Sequence, residues 1–253
     1  MHDVCNYHEM MEVAHAMLKN GMFELGFTAV HADDCWAATG RDASGQLFAD
    51  PNRFPTGWKG LATDLRALGF SNGLYTSAGN TTCSSGGRNG TVPGSFGHFA
   101  QDAKTFAEMT VDYVKIDFCG DDAPSAQGQH TEFSHALNAT GRPFWLELCR
   151  GYSYPPPLYT QQVAQSARVS GDHSDSWINT LGIMLSLSAA AGTNLSGPSS
   201  GYWGYGDFLM TGGAGCDVNA TTHCPGMTDD EYATEFAVWT ITSSPLIVAT
   251  DVR

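Results

Sequence analysis

Acidic residues recur where strand-like stretches of this chain end: Asp33 and Asp34, Asp117, Glu147 and Asp172, with Asp207 in a later loop. Two of them come with a cation at strand spacing. In Val111-Asp112-Tyr113-Val114-Lys115-Ile116-Asp117-Phe118-Cys119, period-two alternation puts Val114 and Ile116 on one face and Tyr113, Lys115 and Asp117 on the other. Arg168 precedes Asp172 by four positions, which in a strand again places both on one face. A neighbouring cation keeps a carboxylate ionised, and an ionised carboxylate can act as a nucleophile. A second carboxyl group kept protonated can donate to a leaving oxygen. Two carboxyl groups held in different environments, one ionised and one protonated, are the working parts of retaining glycoside hydrolysis. Helix capping is the competing use of an Asp at a strand end, but two acid and base pairs on separate strands are harder to explain as caps.

These side chains need a scaffold that gathers strand ends. Strand-like stretches at 26–33, 72–78, 111–117, 143–149, 166–172, 193–197 and 245–250 alternate with helical ones. The helical readings fall at 8–20, 58–69, 97–110, 129–139, 157–165, 176–190 and 228–242. The alternation predicts an α/β fold of the (β/α)8 TIM-barrel type, in which the C-terminal ends of the strands converge on one mouth. A closed barrel needs an eighth strand and the chain opens on a helix, so the first strand is expected to be missing. Residues 1–253 are read as a single catalytic barrel domain. Two long connections, Thr81 to Ser95 and Ser196 to Gly226, are expected to line the site.

Composition narrows the function classes. A net charge of −14, from 12 basic and 26 acidic residues, argues against nucleic acid or an anionic membrane surface as partner. No apolar run approaches the roughly 20 residues needed to span a bilayer. Seven cysteines and the sequons at Asn80, Asn89, Asn138, Asn194 and Asn219 point to an oxidising, glycosylating route, hence a secreted or lysosomal or vacuolar protein. The first residues lack a signal-peptide pattern, so the chain is read as truncated or cut from a longer precursor. No metal and no cofactor are expected: Asp33-Asp34 could hold a hard cation, but no transition-metal spacing or phosphate-binding glycine motif accompanies it. Trp36, Tyr75 and Trp203 could stack on a pyranose, although core packing is the commoner use of each. The expected partner is a carbohydrate substrate, and the sequence sets no expectation for oligomeric state.

The chain resembles the family 27 glycoside hydrolases, the α-galactosidase and α-N-acetylgalactosaminidase group. The resemblance is carried by Asp33-Asp34-Cys35-Trp36, Gly73-Leu74-Tyr75, Pro93 to Gly97 with Gln101-Asp102-Ala103, the segment Val111 to Asp117, Arg168 to Asp172 with Trp177, and Ser244-Pro245-Leu246-Ile247 with Asp251-Val252-Arg253. It implies Asp117 as nucleophile, Asp172 as acid/base and Arg168 as a sugar-binding partner beside the acid. It further implies that Asp33 and Asp34 grip the 4- and 6-hydroxyls of galactose, that Tyr75, Lys115 and Asp207 complete the pocket, and that Cys5 pairs with Cys35 and Cys83 with Cys119. Cys216 and Cys224 could close a short loop, which leaves Cys149 outside the pairs.

Three departures stand beside this likeness. The family's opening Gly-Trp-Asn-Ser-Trp strand and the antiparallel β domain that usually follows the barrel are absent. The glutamate that follows Cys149 in α-galactosidases and reads the 2-hydroxyl is here Arg150, which cannot accept a hydrogen bond, with Glu147 as a candidate substitute. The Trp-Asn-Asp type loop reads Trp203-Gly204-Tyr205-Gly206-Asp207. The expected activity is hydrolysis of terminal α-linked galactose or a close relative, with the Asp117 and Asp172 carboxyl groups about 5 to 5.5 Å apart. The alternatives are α-N-acetylgalactosaminidase or β-L-arabinopyranosidase specificity, or a catalytically impaired sugar-binding protein or incomplete gene product.

Overall fold

The computed structural model describes residues 5–83, 91–120, 125–191, 201–213 and 226–253. The sequons at Asn89, Asn194 and Asn219, the Cys216–Cys224 loop and the strand expected at 193–197 lie outside these residues. No described helix is long and apolar enough to cross a membrane. The chain divides into two compact units, residues 1–151 with 252–253, and residues 152–251.

The first unit alternates α1 (Tyr7–Lys19), β1 (Ala29–His31), α2 (Gly57–Ala67), β2 (Ser71–Ser77), α3 (Phe99–Glu108), β3 (Tyr113–Asp117), α4 (Ala126–Ala139) and β4 (Trp145–Leu148). Its strands pair in parallel and in chain order, with Tyr75 level with Lys115, and Ser77 with Asp117. Helix starts follow local chemistry: Asn6 Oδ1 accepts from the Glu9 amide at 3.0 Å, and Ser125 Oγ from that of Gly128 at 3.3 Å. All five residues of β3 are buried. Val114 and Ile116 join a core with Leu61, Leu65, Leu74, Phe106 and Phe133, each at most 1% exposed. The opposite face of β3 carries Tyr113, Lys115 and Asp117, each with a polar partner from a neighbouring segment.

The second unit contains α5 (Thr160–Val163), β5 (Ser166–Arg168), α6 (Trp177–Ala191), β6 (Trp203–Tyr205) and α7 (Asp229–Ile241). Strands β5 and β6 pair in parallel, Arg168 opposite Tyr205. Its core is Val169, Ile183, Met184, Leu187, Leu209 and Trp239. Helix α7 begins with a reciprocal capping box, in which Thr228 Oγ1 accepts from the Glu231 amide and Glu231 Oε2 from the Thr228 amide, at 3.3 and 2.8 Å.

Three expectations need correction. The strand read over 166–172 ends at Arg168, because residues 169–176 leave the ladder to make side-chain contacts that periodicity does not register. The stretch 245–250 is not a strand of its own but a single parallel bridge, with Leu209 N donating to Ile247 O at 2.7 Å and Ala249 N to Leu209 O at 3.0 Å. Conversely Trp203–Tyr205, read as loop, is strand β6. Pairing with β5, which local sequence does not register, decides the outcome.

Candidate active site

In the first unit the chemistry collects at the C-terminal ends of β1, β2 and β3. Asp117 closes β3 and is 6% exposed. Its Oδ2 accepts from the Tyr75 hydroxyl at 3.0 Å and its Oδ1 from the Phe118 amide at 2.9 Å. Arg150 Nε stands 3.9 Å from Oδ1 on a side chain that is 46% exposed. The Tyr75 hydroxyl also accepts from the Cys83 amide at 3.3 Å. Burial, followed by the charges of Asp117, Asp34 and Asp33, pushes this phenol far above its ordinary pKa. It therefore stays protonated and can only donate toward Asp117.

Lys115 projects from the same face of β3. Its ammonium lies 2.6 Å from Asp33 Oδ2 and 5.6 Å from the centroid of the Tyr75 ring. Asp33 Oδ1 accepts from the Asp34 amide at 2.7 Å, so the acid that follows β1 is fixed on both oxygens. Asp33 keeps 40% of its side chain exposed, whereas Asp34 is buried. Asp33, Asp34, Tyr75, Lys115 and Asp117 thus form one linked cluster. Glu147, the candidate substitute for a carbon-2 glutamate, is fully buried and accepts from the Tyr113 hydroxyl. Trp36 is 1% exposed, donates to Tyr75 O at 2.7 Å and packs edge-on against Trp58, so it supports β2 from within the core.

Both disulfides implied by the resemblance, Cys5–Cys35 and Cys83–Cys119, are formed, and Cys149 is buried outside them. The sulfurs of Cys83 and Cys119 and a carboxylate oxygen of Asp117 lie within 4.8 Å of one another. Sulfur engaged in a disulfide offers no thiolate, so this group does not suit a metal ion. The disulfide forms a wall beside the carboxylate, which sequence spacing did not signal.

In the second unit, Arg168 at the end of β5 is 2% exposed and pairs with two acids. Nη1 lies 2.7 Å from Asp172 Oδ1, and Nη2 3.3 Å from Asp207 Oδ2. The Asp172 side chain is 64% exposed and that of Asp207 only 7%. The pairing of Arg168 with Asp172 is therefore real but not made along a strand: the chain leaves β5 and turns the acid back onto the guanidinium. Asp207 holds a left-handed backbone, φ +80°, a strained setting for a non-glycine residue that recurs at functional sites. Near it lie His173, whose backbone amide donates to Asp207 Oδ2 at 2.8 Å, and Glu235, 3.5 Å from the His173 ring, neither of them assigned a role from residue spacing. The Glu235 carboxyl is raised above its ordinary pKa by burial, against the opposing effect of bonds from Thr211 and Met210.

The whole of residues 2–253 matches the family model described as alpha galactosidase A. The chain is 36% identical over 249 residues to a probable alpha-galactosidase of Dictyostelium discoideum, covering 98% of this chain and 59% of that protein. It is 34% identical to an alpha-N-acetylgalactosaminidase of Gallus gallus, covering 96% of this chain and 58% of that one. Among solved structures, alpha-galactosidase I from Mortierella vinacea superimposes with a TM-score of 0.80 at 28% identity, covering 98% of this chain and 63% of the other. The chain spans about three fifths of the length of these relatives. Its fold class is α/β of the TIM-barrel type, and the chain belongs to the alpha-galactosidase A family, the melibiase group of the family 27 glycoside hydrolases.

Proposed function

We propose that the chain is the catalytic part of a retaining glycosidase that removes terminal α-linked galactose. The observation that carries this reading is Asp117: a buried carboxylate at a strand end, its two oxygens held by Tyr75 and the Phe118 amide. In this reading Asp117 attacks the anomeric carbon while Asp172 protonates the departing oxygen. Water then releases the sugar, with Asp172 taking its proton. Asp33 and Asp34 accept from sugar hydroxyls, while Arg168, itself paired with Asp207, holds the acid. No cofactor enters any step. The two disulfides support an oxidising compartment.

The test is hydrolysis of 4-nitrophenyl α-galactoside, with proton NMR of the first-formed anomer. Release of the α-anomer is expected. Asp117→Asn should fold and bind galactose but lose turnover by at least roughly a thousandfold, the scale of removing a covalent nucleophile. Wild-type turnover retained by Asp117→Asn, or a β-anomer as first product, would exclude the assignment. Binding without turnover by the wild-type protein would make it a sugar-binding protein instead.

Arg150 supports a second specificity. A guanidinium offers only donors, so a carbon-2 substituent that meets it must accept, as a hydroxyl oxygen or an acetamido carbonyl does. The likeness to an alpha-N-acetylgalactosaminidase agrees with that option. Comparing kcat/KM on the 4-nitrophenyl α-galactoside and its 2-acetamido counterpart decides between the two.

A further inference from the structure

Asp172 is an exposed side chain on an irregular segment, a poor place for a group that must meet a departing oxygen within a fraction of an ångström. The next residue is the opposite. His173 is buried and its ring is held on three sides: Nδ1 lies 2.7 Å from Phe208 O, Nε2 lies 2.8 Å from Thr180 Oγ1, and the Trp239 indole stacks on the ring face at 5.3 Å. A carbonyl can only accept, so Nδ1 carries a proton whatever the charge of the ring. The His173 amide donates to Asp207 Oδ2 at 2.8 Å, the oxygen that also faces Arg168.

Glu235, fully buried on α7, completes the arrangement. Its Oε1 lies 3.5 Å from His173 Nδ1 and accepts from the Met210 amide at 2.8 Å. Its Oε2 accepts from Thr211 Oγ1 at 2.6 Å. Trp239, one turn farther along α7, donates to Asp207 O at 3.0 Å. The segment 207–211 is thereby tied to α7 at both ends, and His173 is tied to that segment.

We propose that His173, backed by Glu235, is a positioning residue that fixes Asp172 against Arg168 for proton transfer. The proposal rests on the reading of Asp172 as the acid/base. Asn179 also grips the segment, donating to Asp172 O at 3.2 Å, but from an exposed position. His173 joins the acid's own peptide to β5 through Asp207 and to α7 through Glu235.

The test compares two galactosides on the full-length protein. A 2,4-dinitrophenyl leaving group needs no proton, whereas an alkyl leaving group does. His173→Asn keeps a donor where Nδ1 stands and loses the Thr180 and Trp239 contacts. It should lower kcat/KM on the alkyl galactoside, which reports the first step, by roughly ten- to a hundredfold and leave kcat/KM for release of dinitrophenol within about threefold. Glu235→Gln should show the same split, more weakly. Asp172→Ala is the control for the underlying reading: it should show a larger split, with azide restoring turnover of the dinitrophenyl substrate. If Asp172→Ala shows no split, the acid/base reading fails and this proposal with it. If Asp172→Ala splits while both His173→Asn and Glu235→Gln lower the two substrates equally, or neither, the positioning role is overturned and the acid/base reading stands. Should His173→Asn not fold, Glu235→Gln carries the test alone.

Discussion

A carboxylate works as a nucleophile only while its lone pairs point at the target, and in the proposed role Asp117 would take that orientation from one hydroxyl and one amide. Tyr75→Phe removes the hydroxyl while keeping the ring under Lys115. We expect kcat to fall roughly ten- to a hundredfold, in line with losing a preorganised donor at a reacting group, with a small change in thermal stability. Steady-state kinetics on an aryl α-galactoside, alongside a melting curve, checks both halves. An unchanged kcat would show that the hydroxyl serves the Cys83 amide alone. The residues that build this cluster were legible from their types and from the family likeness, but their partners were not. Local spacing set Lys115 beside Asp117, whereas the fold brings up Asp33, 82 positions away, and Arg150. His173 was hidden for the same reason. A histidine after an aspartate carries no signal until Thr180, Phe208 and Trp239 are seen around it.

At the scale of elements, the ends of β2 and β3 are drawn together more tightly than a ladder alone requires. Ala78 N donates to Asp117 O at 2.7 Å, and the Cys119 amide donates to Ser77 Oγ at 2.9 Å. Gly79 lies so close that an added Cβ would collide with the Cys119 carbonyl. Backbone does not swing aside as a flexible side-chain tip does. Gly79→Ala should therefore cost about 1–3 kcal/mol, displace the strand end that carries Asp117, and reduce activity beyond the loss of folded protein. Denaturant melts with activity corrected for folded fraction test this, and a wild-type specific activity per folded molecule would refute it. Helix α7 offers a plainer case. Thr228→Ala removes one half of the capping box and should cost about 1 kcal/mol, which a denaturation midpoint would register. The helices were legible because their apolar spacing and caps are local. Strand limits were not, since a strand ends where its neighbour stops pairing. Three-residue β6, set among glycines, takes its limits from its pairing with β5.

For the molecule as a whole, acidity is the condition that matters most, because the proposed mechanism asks one carboxyl group to be ionised and another protonated, a state reached at mildly acid pH. His130 on α4 is fully buried against the Phe118 ring, and burial lowers its pKa from 6.5 to about 4. The unfolded chain binds this proton near 6.5 and the folded chain only near 4, so the unfolded state gains protons first as pH falls. Stability from the neutral ring is present above 6.5, declines between the two values and is gone below about 4. From pH 7 to pH 5 the loss is about 2 kcal/mol for this one group, from a pKa difference weighted by 1.36 kcal/mol per unit. His31, stacked on Tyr113, is likewise lowered to about 4, chiefly by burial, and acts in the same direction. Glu235 opposes them: its raised pKa favours the folded state as pH falls toward its ordinary range. Two histidines act against this one carboxyl group, so the urea midpoint of the wild type should fall between pH 7 and pH 5. In His130→Gln, which has no proton to gain there, the fall should be smaller by about 2 kcal/mol. An equal fall in both proteins would mean that His130 titrates alike in the folded and unfolded chains, and that acid sensitivity must be sought among other groups.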